Sequence, residues 1–137
     1  MMNKILTLIT AICCSIVFGN IELSLDNYSE SDGTADVLYN SAVNIGGFQL
    51  NIEGANLLGA SGGEAGSNGF TMSSSSTTLL GFSFSGGIIP AGNGILATIS
   101  FENAEEQVCV VDPVISTENG ASVDINLVNN CVGEISP

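Results

Sequence analysis

Residues Ile88 to Phe101 read IIPAGNGILATISF. Pro90 and the Asn93-Gly94 pair give the first half the chemistry of a corner, because proline presets φ and Asn-Gly accepts positive φ. From there the apolar residues fall on every second position, which places Ala97, Ile99 and Phe101 on one face of a strand.

The same period runs outward in both directions. Strand-sized segments follow one another: IELSL (Ile21 to Leu25), ADVLYN (Ala35 to Asn40), GGFQLNIE (Gly46 to Glu53), NLLGA (Asn56 to Ala60), GFTMS (Gly69 to Ser73), TLLGFSFS (Thr78 to Ser85), GILATISF (Gly94 to Phe101), VCVVDPVIS (Val108 to Ser116) and ASVDINLV (Ala121 to Val128). Turn-forming stretches such as DNYSESDG, ASGGEAGSNG and ENG separate them, and no segment sustains a helical period. Asn119-Gly120 between two alternating runs predicts a tight hairpin. The chain reads as one all-β domain. Phe48, Leu50 and Ile52 share a face, as do Phe70 with Met72, and Leu80 with Phe82 and Phe84. These faces are expected to meet as one core. The opposite faces carry Gln49, Asn51, Thr71, Ser73 and Ser83, so a sandwich of two antiparallel sheets with one polar, weakly charged outer face follows.

The first residues, MMNKILTLITAICCSIVFGN, combine one cation at Lys4, an apolar run from Ile5 to Phe18, and Val17 and Gly19 at the small-residue places of a cleavage site. The run is shorter than the roughly 20 residues a membrane span requires. The expected organisation is a signal peptide over 1–19 and a secreted, extracellular domain over 20–137. Cleavage would remove the only cation in the sequence and leave all 14 acidic residues. Such a surface repels phosphate backbones and anionic membranes, which argues against nucleic-acid or membrane partners after cleavage. Cys109 and Cys131 then remain, an even count in an exported chain, and are expected to form a disulfide.

Catalysis finds little to work with. The sequence has no His, and beyond Lys4 no Lys or Arg, which removes Ser-His nucleophiles, Schiff bases and cationic oxyanion stabilisers. Glu105 and Glu106 are neighbours that a strand would point to opposite faces, so they would not flank a glycosidic bond. The expectation is a non-enzyme with no obligatory cofactor. In DNYSESDGTAD, the carboxylates Asp26, Glu30, Asp32 and Asp36 surround Gly33 without matching the helical calcium-loop spacing, so they are weak candidates for a calcium ion beside the plainer reading of a solvated acidic turn.

IGGFQLNIEGANLLGASGG (Ile45 to Gly63) and TLLGFSFSGGIIPAGNGILATISF (Thr78 to Phe101) together resemble the cohesin family. The shared pattern is an early Gly-Phe-x-Phe-like strand, a short strand with a glycine-rich loop, then a strand of the form Gly-x-Leu-Ala-x-Ile-x-Phe. The resemblance implies a nine-stranded jelly-roll β-sandwich, and a non-catalytic role binding dockerin modules or another surface protein in assemblies that degrade polysaccharide. Carried over by position, it makes Gln49, Asn51, Thr71, Ser73 and Ser83 the partner-contacting residues. Two other readings suit a single exported domain: a carbohydrate-binding module, and a structural subunit of a surface layer, filament or virion. Sugar stacking usually rests on large aromatic rings, and the chain has no Trp.

Overall fold

The structure is a computed structural model that describes residues 21–104 and 107–133. The expected signal peptide, 1–19, and the Glu105-Glu106 pair lie outside the described residues.

Among the described residues the chain forms ten strands: β1 (Ile21–Ser29), β2 (Thr34–Ser41), β3 (Ile45–Glu53), β4 (Asn56–Ser61), β5 (Thr71–Ser74), β6 (Thr78–Phe82), β7 (Gly92–Glu102), β8 (Val108–Thr117), β9 (Ile125–Leu127) and β10 (Cys131–Val132). They make two five-stranded sheets, β4-β7-β2-β1-β9 and β10-β8-β3-β6-β5. The fold is the expected β-sandwich, with one strand more than the nine read from sequence. The additional strand is β10, whose Cys131 stands opposite Cys109. One helical turn, α1 (Gly63–Ser67), occupies the glycine-rich loop after β4 and buries Ala65.

The core forms where the period-two faces meet. Phe48, Leu50 and Ile52 of β3 are buried, as are Ala97, Ile99 and Phe101 of β7. Phe48 stacks on Phe70 at a centroid distance of 6.1 Å with the rings 12° apart. The corner that opens the IIPAGNG stretch is locked from inside: Ile89 is fully buried and exchanges both backbone hydrogen bonds with Ile45, at 2.8 and 2.9 Å. A bulge in β7 opposite Val37 and Leu38 then lets both Leu96 and Ala97 enter the core.

Three sequence expectations are corrected. Leu80, Phe82 and Phe84 do not join the core: Leu79 is 0% exposed, whereas Leu80 is 42% and Phe84 86% exposed, and Phe82 is only half-buried. The inward positions of β6 are Leu79 and Gly81, because a β-carbon at Gly81 would overlap the ring of Phe48. The sheets are also not wholly antiparallel, since β9 pairs with β1 in parallel. The Asn119-Gly120 turn does form, with Gly120 at φ 86° and its N–H donating to the Thr117 carbonyl at 2.9 Å. The returning segment, however, keeps only an isolated bridge from Ser122 to Ser116 before crossing to the opposite sheet as β9. Val123, Ile125 and Leu127 pack against the common core, which rewards the crossing more than a second full pairing with β8.

Candidate functional site

The outer face of the β10-β8-β3-β6-β5 sheet can be read row by row from its register. One row runs from Val114 on β8 through Gln49 on β3 and Leu80 on β6 to Ser73 on β5. The next runs from Ser116 through Gly47 and Phe82 to Thr71. A third begins at Val111 and passes through Asn51 to Thr78. Because neighbouring residues on a strand alternate faces, all of these side chains stand opposite the buried Phe48, Leu50, Leu79, Val110 and Ile115.

Gln49, Asn51, Thr71 and Ser73 therefore come together on one surface, as the sequence expects. Gln49, Thr71 and Ser73 are exposed, and Asn51 is half-buried with its Oδ1 accepting from the Thr78 hydroxyl at 3.1 Å. Ser83 does not join them. It lies past the end of β6, where its Oγ accepts from the backbone N–H of Gly87 at 2.9 Å and of Ser85 at 3.3 Å. Its hydroxyl holds a turn closed. That turn displays Phe84, whose ring meets Phe82 edge-on at 4.9 Å and 87°.

The face is thus less polar than the sequence suggests. Leu80, Phe82 and Phe84 form a line along β6 and its turn, and Val114, 56% exposed, adds to it across Gln49. At about 3.3 Å per residue Leu80 and Phe82 stand roughly 7 Å apart along β6, and the Phe84 ring extends the line by its 4.9 Å contact with Phe82. Sequence reading missed these residues because Leu79 and Leu80 are both leucine, so β6 fits either register. The available signal was Gly81: a strand residue without a side chain marks the close approach of something else, here the Phe48 ring.

Charge sits at the border of this surface rather than in it. Exposed Glu53 and Asp112 belong to β3 and β8, and Glu118 follows β8, where its Oε1 accepts from the Asn44 amide at 2.6 Å. The edge is covalently held. Cys109 and Cys131 are bonded, with α-carbons 4.0 Å apart. Cys109 alternates with the buried Val108 and Val110, so the bridge lies on this same outer side.

The acidic turn between β1 and β2 distributes its carboxylates. The Asp36 carboxylate accepts from the Thr98 hydroxyl at 2.6 Å and the Asn27 amide at 2.8 Å, and Asp26 accepts from the backbone N–H of Asn27 at 2.7 Å. Glu30 lines a different place, a cleft of about 190 Å³ with Tyr28 and Glu102, while the backbone N–H of Asp32 donates to Ser29. Among the described residues no three acidic, histidine or cysteine side chains gather as a metal site. On the other sheet, the Tyr39 hydroxyl is held above the ordinary tyrosine range, chiefly by burial and then by the nearby Glu64 carboxylate. No helix among the described residues is long and apolar enough to cross a membrane.

The chain matches no protein-family model and no curated protein. Solved structures do resemble it, three cohesins among them. A non-cellulosomal cohesin from the hyperthermophilic archaeon Archaeoglobus fulgidus is 17% identical, with a TM-score of 0.60 over 85% of this chain and 92% of that one. The sixth cohesin of scaffoldin B from Acetivibrio cellulolyticus, solved in complex with a mutant dockerin, is 16% identical, with a TM-score of 0.57 over 84% of this chain and 99% of that one. A type I cohesin–dockerin complex from Clostridium thermocellum gives 11% identity and a TM-score of 0.52 over 81% of this chain and 89% of its match. The architecture is that of a cohesin-like β-sandwich, as the GILATISF resemblance implies.

Proposed function

We propose that the protein is an exported, non-catalytic module of cohesin type, which binds a dockerin-like or other protein partner on the outer face of the β10-β8-β3-β6-β5 sheet, in assemblies that act on polysaccharide. The observation that carries the reading is the line of Leu80, Phe82 and Phe84 standing out of the sheet among Gln49, Thr71 and Ser73. An aromatic pair with one ring exposed and the other half-buried, surrounded by short uncharged polar groups, is the composition of an interface centre, where apolar anchors are desolvated and small side chains lose little entropy. The cohesins in two of the similar structures are solved with dockerins, which supports a protein partner. The pattern of residues 1–19 supports export, and the half-buried disulfide suits an oxidising exterior.

Calorimetric titration of the protein with a panel of dockerin modules tests the reading. Leu80→Asp should abolish binding of whichever dockerin binds, while Leu58→Asp, at a still more exposed leucine on the opposite sheet, should not. Binding lost through Leu58 and kept through Leu80 would move the site to the other sheet. Export is tested separately by N-terminal sequencing of secreted protein, which should begin at Asn20.

A further inference from the structure

We infer that the partner surface for this face is cationic: an apolar stripe bordered by lysines or arginines. The inference rests on the reading of the β10-β8-β3-β6-β5 face as the docking surface and adds the chemistry of what docks there. Leu80, Phe82, Phe84 and Val114 supply an uncharged centre, and the charged side chains placed around it, Glu53, Asp112 and Glu118, are all anionic. No cation stands among residues 5–137 to invert that sign anywhere on the domain. A partner with acidic borders would therefore meet like charge on every approach, with no lysine or arginine here to pair with it. A second copy of this chain is such a partner, bringing the same 14 acidic residues. A basic border meets opposite charge beyond both ends of the ridge, from Glu53 at one and Glu118 at the other, and along its flank on β8 from Asp112. Border charges of this kind act mainly on the encounter rate, while the desolvated rings at the centre govern dissociation.

The test uses two helical peptides with the same stripe of leucines, one bordered by lysines and the other by glutamates, and follows their association with the protein by stopped-flow fluorescence. The lysine-bordered peptide should bind, and its association rate should fall about tenfold as salt rises from low to high ionic strength. The glutamate-bordered peptide should bind at least tenfold more weakly. Phe84→Ala should weaken the lysine-bordered peptide about tenfold through faster dissociation. The paired substitution Glu53→Lys with Asp112→Lys should slow its association and help the glutamate-bordered peptide. Equal binding of both peptides, still lost on Phe84→Ala, would overturn the cationic partner while leaving the docking face in place. Lysine-bordered binding that ignores Phe84→Ala and Leu80→Asp would overturn both, as would no binding of that peptide at millimolar concentration. Sedimentation showing a dimer that Phe84→Ala dissolves would assign the ridge to a second copy and overturn the proposal.

Discussion

β3 and β6 lie side by side in one sheet and carry the same alternating pattern, yet they use it in opposite senses. The aromatic and aliphatic series of β3, Phe48, Leu50 and Ile52, points into the sandwich. The series of β6 and its turn, Leu80, Phe82 and Phe84, points away from it. Gly81 accounts for the difference: Phe48 stands opposite it in the register, and only a residue without a β-carbon leaves room for the ring on the core side. Leu79 then fills the remaining inward position and is fully buried. One glycine thus converts a second core strand into a strand that turns its rings outward, and the comparison can be broken at either side of that contact.

The largest effect is expected on the inward side. Phe48→Ala removes a ring that stacks on Phe70 and covers Gly81, and should lower stability by about 3–5 kcal/mol in urea unfolding through lost burial and a residual cavity. A loss below about 1 kcal/mol would mean that Phe48 does not anchor the register of β6.

Next comes the covalent edge of the same sheet. Replacing both Cys109 and Cys131 with alanine opens a loop spanning a sequence separation of 22 and should cost about 3 kcal/mol on the chain-entropy estimate. Thermal unfolding of the double variant against the oxidised protein measures it, and alkylation of the unreduced protein should find no free thiol at either position. β10 is only two residues long, and the bridge reinforces a pairing with β8 that Asn130 extends through its carbonyl, which accepts from the Val110 N–H at 2.9 Å, and its side-chain amide, which donates to the Val110 carbonyl at 2.7 Å.

Gly81→Ala tests the contact itself. The added methyl overlaps the Phe48 ring, and overpacking of this kind costs about 1–3 kcal/mol. Combined with Phe48→Leu, which opens space above the strand, the substitution should cost less than it does alone. A double-mutant cycle measures that coupling, and additive behaviour would show that Gly81 and Phe48 do not compete for the same space.

These contacts also mark where the sequence could and could not be read. β3 and β7 were legible because each has one apolar face and one polar face, so only one register buries anything. The cysteine pair was legible from its count and expected compartment. β6 was not, since Leu79 and Leu80 offer both faces to the core and the deciding atoms belong to Phe48, three strands earlier in the chain. Segment 121–128 alternates like a hairpin partner for β8, but its choice of the opposite sheet depends on the core that Val123, Ile125 and Leu127 find there. The outer face suffered from the same ambiguity: Gln49, Asn51, Thr71 and Ser73 were read onto one surface, where they lie, while the rings among them were counted as core and Ser83 was placed on a face it does not reach.

On the outward side the expected change in stability is smallest and most informative. Phe84 is 86% exposed, and its contact with the sheet is the edge-on approach to Phe82. Phe84→Ala should therefore shift unfolding by no more than about 0.5 kcal/mol, the range of surface substitutions. Its ring is held out by a turn that Ser83 closes, so Ser83→Ala should reduce partner binding as well, by loosening the turn rather than by removing a contact. The two variants separate display from contact: binding weakened by Phe84→Ala with unchanged stability is what a presented ring requires. If Phe84→Ala instead destabilised the protein as much as Gly81→Ala, the ring would belong to the folded core after all, and the opposition between β3 and β6 would fail.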